Sequence, residues 1–144
     1  MKILGHPVHL MLIHFPAALF PVELIFYYIY YRTGNASFAD ASFYAMCAGA
    51  ILGWLAILTG AIDLIMIKEE QAEAKVKALI HGIINAMVVL VYSILAYVLY
   101  KKYPDLPAAT IMMLGVKAAL NILMIAGNHL GGTLILKYKI TTHN

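Results

Sequence analysis

Long apolar runs divided by short polar breaks are the dominant pattern along this chain. Four runs stand out, over about 7–31, 40–67, 75–100 and 107–136. Each is long enough to cross about 30 Å of hydrocarbon at about 1.5 Å per residue. The breaks carry turn and charge signals: Thr33-Gly34-Asn35-Ala36-Ser37, Lys68-Glu69-Glu70-Gln71 and Lys101-Lys102-Tyr103-Pro104-Asp105. Connections this short make consecutive helices antiparallel. The pattern predicts an all-α membrane protein, an antiparallel bundle of four transmembrane helices forming a single domain over residues 1–144.

Local signals refine the helix ends. Pro7 suits a helix first turn, and Pro16 and Pro21 predict a kink inside helix one. Asp40 is the expected N-cap of helix two. Glu73 and Lys77 have the i,i+4 spacing of an ion pair, so helix three is expected to begin ahead of the membrane. Proline at 104 and 107 stops one helix and starts the next.

Composition agrees with a lipid solvent. The chain is 63% hydrophobic and 12% charged, with mean hydropathy +0.84. A soluble domain of this size cannot hide so much apolar surface. A net charge of +3 with scattered lysines leaves no nucleic-acid footprint. The lone Cys47 excludes an intramolecular disulfide and a CxxC metal or c-type haem motif, and reads as a packing residue. His9, His14, Pro16 and Pro21 interrupt the first run and no small-x-small cleavage site follows, so that run reads as a span rather than a signal peptide. We call the end with the chain termini and the 68–74 connection proximal, and the other end distal. Lys2, Lys68, Lys75, Lys77, Lys137 and Lys139 are proximal; Arg32, Lys101 and Lys102 are distal. The positive-inside rule then predicts that both termini are cytoplasmic. Tyr27, Tyr28, Tyr30, Tyr31, Tyr97, Tyr100 and Tyr103 form an expected distal aromatic belt.

Histidine is costly inside a membrane and is usually kept there for a task. His14 lies seven residues past Pro7 and His129 seven before Leu136, each roughly 10 Å deep; His81 lies six past Lys75, roughly 9 Å deep. Asp63 is at a similar or slightly shallower level, and His6 and His9 lie nearer the interface. One such histidine can simply bond a neighbouring helix. Several at one level point to a ligand site, because imidazole holds metals and is the axial ligand of b-type haems. Helices one and three are diagonal, with axes roughly 12–14 Å apart, which suits histidine–iron–histidine. His14 and His81 are the first-choice ligands, and His129, His9 and His6 the second choice. Gly49, Gly53, Ala56 and Gly60 give helix two a small-residue face that admits a flat ring or a close helix. Gly127, Gly131 and Gly132 offer the same on helix four. Gly53, Gly60 and Asn85, which shares a face with His81, are the candidate cofactor contacts. Asp63 fits an orienting role toward an imidazole N–H, a pairing with Lys68, or a water-bridged propionate.

A deeper polar pair is expected too. Glu23 on helix one and Lys117 on helix four both lie roughly 12–15 Å from the distal end. These helices are neighbours, so a buried ion pair is predicted. Lys117, Asn121 and Asn128 share a face, as an interhelical polar seam or a proton path.

The pattern HPxHxxxxHFP, here His6 to Pro16, resembles the N-terminal signature of a bacterial four-helix membrane family designated domain of unknown function 2231. Thr59-Gly60-Ala61-Ile62-Asp63, His81-Gly82-Ile83-Ile84-Asn85 and Leu130-Gly131-Gly132 resemble its later motifs, in the same order. The resemblance covers nearly the whole chain and includes His6, His9, His14, Asp63 and His81 but not clearly His129. It implies no catalytic residues; fusions of some members to Rieske or c-type cytochrome domains imply redox company. The function expected is a small integral-membrane cytochrome b that binds haem b through two histidines. It passes single electrons to a quinone or a redox protein partner, and is an electron carrier rather than a self-contained enzyme. The alternatives are a non-haem copper, iron or zinc site, and a cofactor-free structural subunit, in a homo-oligomer or a larger membrane complex.

Overall fold

The computed structural model describes residues 2–3, 6–67 and 69–138, with side chains from Val8 onward, Glu69 excepted. A two-residue pairing, β1 (Lys2–Ile3) with β2 (His6–Pro7), precedes the helices. They are α1 (Val8–Leu12), α2 (His14–Thr33), α3 (Ala36–Ile65), α4 (Ala72–Tyr100) and α5 (Ile111–Tyr138). A 3-10 turn, Glu69–Gln71, leads into α4. Together α1 and α2 make the first of four spans long and apolar enough to cross a membrane, and α3, α4 and α5 are the others. Consecutive helices pack side by side, α5 closes back on α2, and α1 rests on α3. The result is an antiparallel four-helix ring in which α2 and α4 are diagonal.

Side-chain chemistry explains the helix ends. The backbone turns at Ile13, between α1 and α2. Pro16 has no N–H for the Leu12 carbonyl, and its ring crowds that oxygen. The ladder survives on either side, from Ile13 N to His9 O at 3.0 Å and from Ala17 N to Ile13 O at 3.2 Å. The predicted irregularity therefore lies a turn before the proline, while Pro21 stays within α2. Gly34 ends α2 at φ 67°, a left-handed conformation that a residue without Cβ adopts freely. Asn35 caps α3, its Oδ1 accepting from Ser37 N–H at 3.0 Å. Asp40, the expected cap, lies inside α3, because the Asn35 side chain already satisfies the first turn. Residues 106–110 do not join a helix. Thr110 starts α5 instead of Pro107, its Oγ1 accepting from Met113 N–H at 3.2 Å.

Large apolar side chains such as Ile51, Ile65, Met87 and Ile122 face outward, as lipid requires. The centre holds Phe20, Met46, Val88, Tyr92, Leu120 and Met124. Phe20 of α2 stacks on Tyr92 of diagonal α4, with ring centres 4.0 Å apart and planes 6° apart. This pair plugs the bundle at mid-height. Tyr28, Tyr31, Tyr97, Tyr100 and Tyr103 are exposed near the distal end. Tyr27 is not in that belt: it is buried under Lys117, and its hydroxyl accepts from Thr110 N–H at 3.0 Å.

Candidate functional site

Proximal to the Phe20–Tyr92 plug lies a cavity of about 430 Å³, lined from all four spans. Two imidazoles, His9 and His81, line it from opposite spans. His9 projects from α1; its ring lies over Gly60, and its Nδ1 is 2.9 Å from the Ala56 carbonyl oxygen. His81 projects from α4; its ring lies over Gly131, and its Nδ1 is 2.7 Å from the Gly127 carbonyl oxygen. The ring centres are 6.4 Å apart, with planes 78° to one another.

A carbonyl oxygen only accepts hydrogen bonds, so both bonds place the imidazole proton on Nδ1. Each Nε2 then keeps its lone pair, the state in which a neutral histidine binds a metal. The Asn85 amide nitrogen, 3.2 Å from His81 Nδ1, faces another donor there. It donates instead to the His81 carbonyl at 3.0 Å, and the amide packs over Gly127.

The glycines matter for close approach. A Cβ on Gly60 would sit 2.7 Å from His9 Cε1, and one on Gly131 would sit 2.7 Å from His81 Cε1. Gly49 and Gly53 admit different guests, the Phe20 ring and Val89. Gly53 and Gly60 both line the cavity, yet the small-residue face of α3 receives side chains of neighbouring helices along its length. Asp63 lines the cavity one turn beyond Gly60, and Asn128 lines it from α5.

Two expected ligands are elsewhere. His14 is exposed on the outer side of α2, so it does not face His81. The inward residues of α2 are Pro16, Phe20, Glu23 and Tyr27. His14 precedes Pro16 by two residues, which turns it about 200° away at about 100° per residue. His129 is exposed on α5 for the same reason, two residues past the buried Gly127. His9, by contrast, is seven residues before Pro16 and shares its side of the helix. Depth along the axis ranked these histidines; direction around the axis decides among them, and the seven-residue spacing carried that signal. The carbonyl anchors at Ala56 and Gly127 had no signal in side-chain pattern. The His6 side chain and Lys68, the alternative partner of Asp63, lie outside the described residues. Among the described residues, no group of three or more His, Cys, Asp or Glu side chains gathers in a way that could hold a metal ion.

Glu23 and Lys117 meet in the core, Lys117 Nζ donating to Glu23 Oε1. At the proximal surface Lys77 pairs with Glu73 at 3.0 Å, and Lys137 reaches the same carboxylate at 3.7 Å.

A family model for a predicted membrane protein, DUF2231, matches residues 5–144. No curated protein and no solved structure matches the chain.

Proposed function

The chain belongs to the DUF2231 family of predicted membrane proteins, and from that premise and the paired imidazoles we propose that it is a small membrane cytochrome of the b type. One haem b is held between His9 and His81. The protein passes single electrons to a quinone or a respiratory redox protein, from a bacterial inner membrane in which both termini are cytoplasmic.

The observation that carries this reading is the pair of Nδ1-anchored imidazoles with ring centres 6.4 Å apart. Two imidazoles that bond opposite faces of one metal at about 2.0–2.1 Å have their centres about 6 Å apart. The cavity volume of about 430 Å³ lies within the roughly 300–1,000 Å³ typical of cofactor sites. A haem asks the protein for only two axial donors. Zinc and copper sites usually take three or four, and no such group gathers among the described residues. That favours haem over a non-haem metal. A haem held by both His9 and His81 would supply one-electron chemistry rather than oxygen chemistry.

The test is an optical spectrum of the protein purified in detergent with haem supplied. A Soret band is expected, and His9→Ala and His81→Ala should each abolish it. His14→Ala and His129→Ala should keep it. No Soret band in the parent protein overturns the reading. Copper, iron or zinc in a colourless preparation would support the non-haem alternative, and tight co-purifying subunits without a cofactor would support a structural role.

A further inference from the structure

Distal to the cavity lies a polar centre that haem ligation leaves unused. Phe20 lines the cavity and stacks on Tyr92, whose hydroxyl belongs to a second set of buried side chains. Glu23 of α2 is 0% exposed and Lys117 of α5 is 1% exposed. Ser42 of α3 donates to Glu23 Oε1 at 2.8 Å, the oxygen that also receives Lys117. Lys117 Nζ lies 4.2 Å from the centre of the Tyr27 ring. Asn121 Nδ2 donates to Tyr92 Oη at 2.9 Å and to the Lys117 carbonyl at 3.0 Å. That carbonyl only accepts, which fixes the orientation of the amide.

Two buried acceptors are left without a donor, Glu23 Oε2 and Asn121 Oδ1. The Ser42 and Lys117 hydrogen bonds to Glu23 both fall on Oε1, and the Tyr92 hydroxyl interacts with the same carboxylate. A buried polar atom without a partner is costly, and its persistence points to a role. One added proton on Oε2 would give that unpartnered oxygen an O–H of its own. Glu23 sits three residues past Phe20, about one helical turn below the cavity floor. Charge changes in the cavity are felt there, because little in the surroundings screens them.

We propose that Glu23 Oε2 takes up one proton when the haem is reduced, so that the protein couples electron transfer to proton uptake inside the membrane. This rests on the haem reading above. A haem held by His9 and His81 would take one electron from a one-electron donor. One O–H bond forms at Oε2, with the proton drawn from water. The electron and the proton together would leave the net charge of the interior unchanged. The groups facing Glu23 are Ser42 from α3, Tyr92 from α4, and Lys117 and Asn121 from α5, with Tyr27 on its own helix; Lys117 supplies the charge. Tyr27 packs its ring under Lys117 and turns its hydroxyl to Thr110 N–H in the 106–110 connection.

The test is a redox titration of the haem-loaded protein at a series of pH values around neutrality. The midpoint potential should fall as pH rises, by up to about 59 mV for each tenfold drop in proton concentration, the one-electron conversion. Glu23→Gln should flatten that dependence while keeping the Soret band. Because that variant leaves Lys117 unpaired, the double variant Glu23→Gln with Lys117→Met provides a neutral centre and should also be flat. Redox-difference infrared spectra should show a protonated carboxyl C=O band on reduction that Glu23→Gln removes. A Soret band with a pH-independent potential, or a pH dependence that survives in both variants, overturns the coupling alone. Absence of a Soret band overturns the haem reading and the coupling with it.

Discussion

At Gly60 and Gly131 a hydrogen in place of a side chain lets an imidazole lie against a helix. The expected effect of adding carbon there follows from the 2.7 Å a Cβ would leave to each ring. Gly60→Val and Gly131→Val should each push the histidine off its carbonyl anchor. Overpacking of this kind costs roughly 1–3 kcal/mol. The lost tautomer control should lower haem affinity tenfold or more, read as haem titrated against the Soret band. Gly115 is the control: a Cβ there meets nothing within 4 Å. Gly115→Ala should keep the spectrum and raise the unfolding midpoint in detergent, since alanine favours a helix by roughly 0.5–1 kcal/mol over glycine.

The spans themselves were legible in the sequence because thickness of hydrocarbon imposes length, and length is read directly from apolar runs. Their ends were less so. α3 begins at Ala36 and α5 at Ile111, each set by a capping side chain, Asn35 and Thr110, rather than by the stronger-looking Asp40 or Pro107. Thr110→Ala should lower stability by about 1 kcal/mol, the usual worth of such a cap, measurable as a shift in thermal unfolding. The candidate site was half legible. Distance along each helix placed Glu23 level with Lys117, and they meet. The same measure favoured His14 over His9, because it ignores rotation about the axis. Pro16, Phe20, Glu23 and Tyr27 define an inward side that includes His9 and excludes His14. On α4 the buried Val88 and Tyr92 select His81, seven and eleven residues earlier. What no pattern of side chains announced is which main-chain carbonyls the rings would meet, since that depends on how closely α3 and α5 approach.

For the whole bundle, the ion pair and the cavity divide the labour between the two halves. The distal half is closed by Glu23, Lys117 and the aromatic plug, and the proximal half stays open around the histidines. Lys117→Met alone should destabilise the protein by roughly 3–5 kcal/mol, because it strands a buried carboxylate. Adding Glu23→Gln should recover most of that loss in a double-mutant cycle followed by unfolding in detergent. One further relation spans the molecule. His9 bonds the carbonyl of Ala56 and lies over Gly60, four residues on; His81 bonds the carbonyl of Gly127 and lies over Gly131, also four residues on. The first two spans thus present the same anchor as the last two. A flat guest seated between the two rings meets the same carbonyl-anchored imidazole on both faces. An unsymmetrical porphyrin should therefore be bound either way up, as two coexisting orientational isomers within a single folded protein.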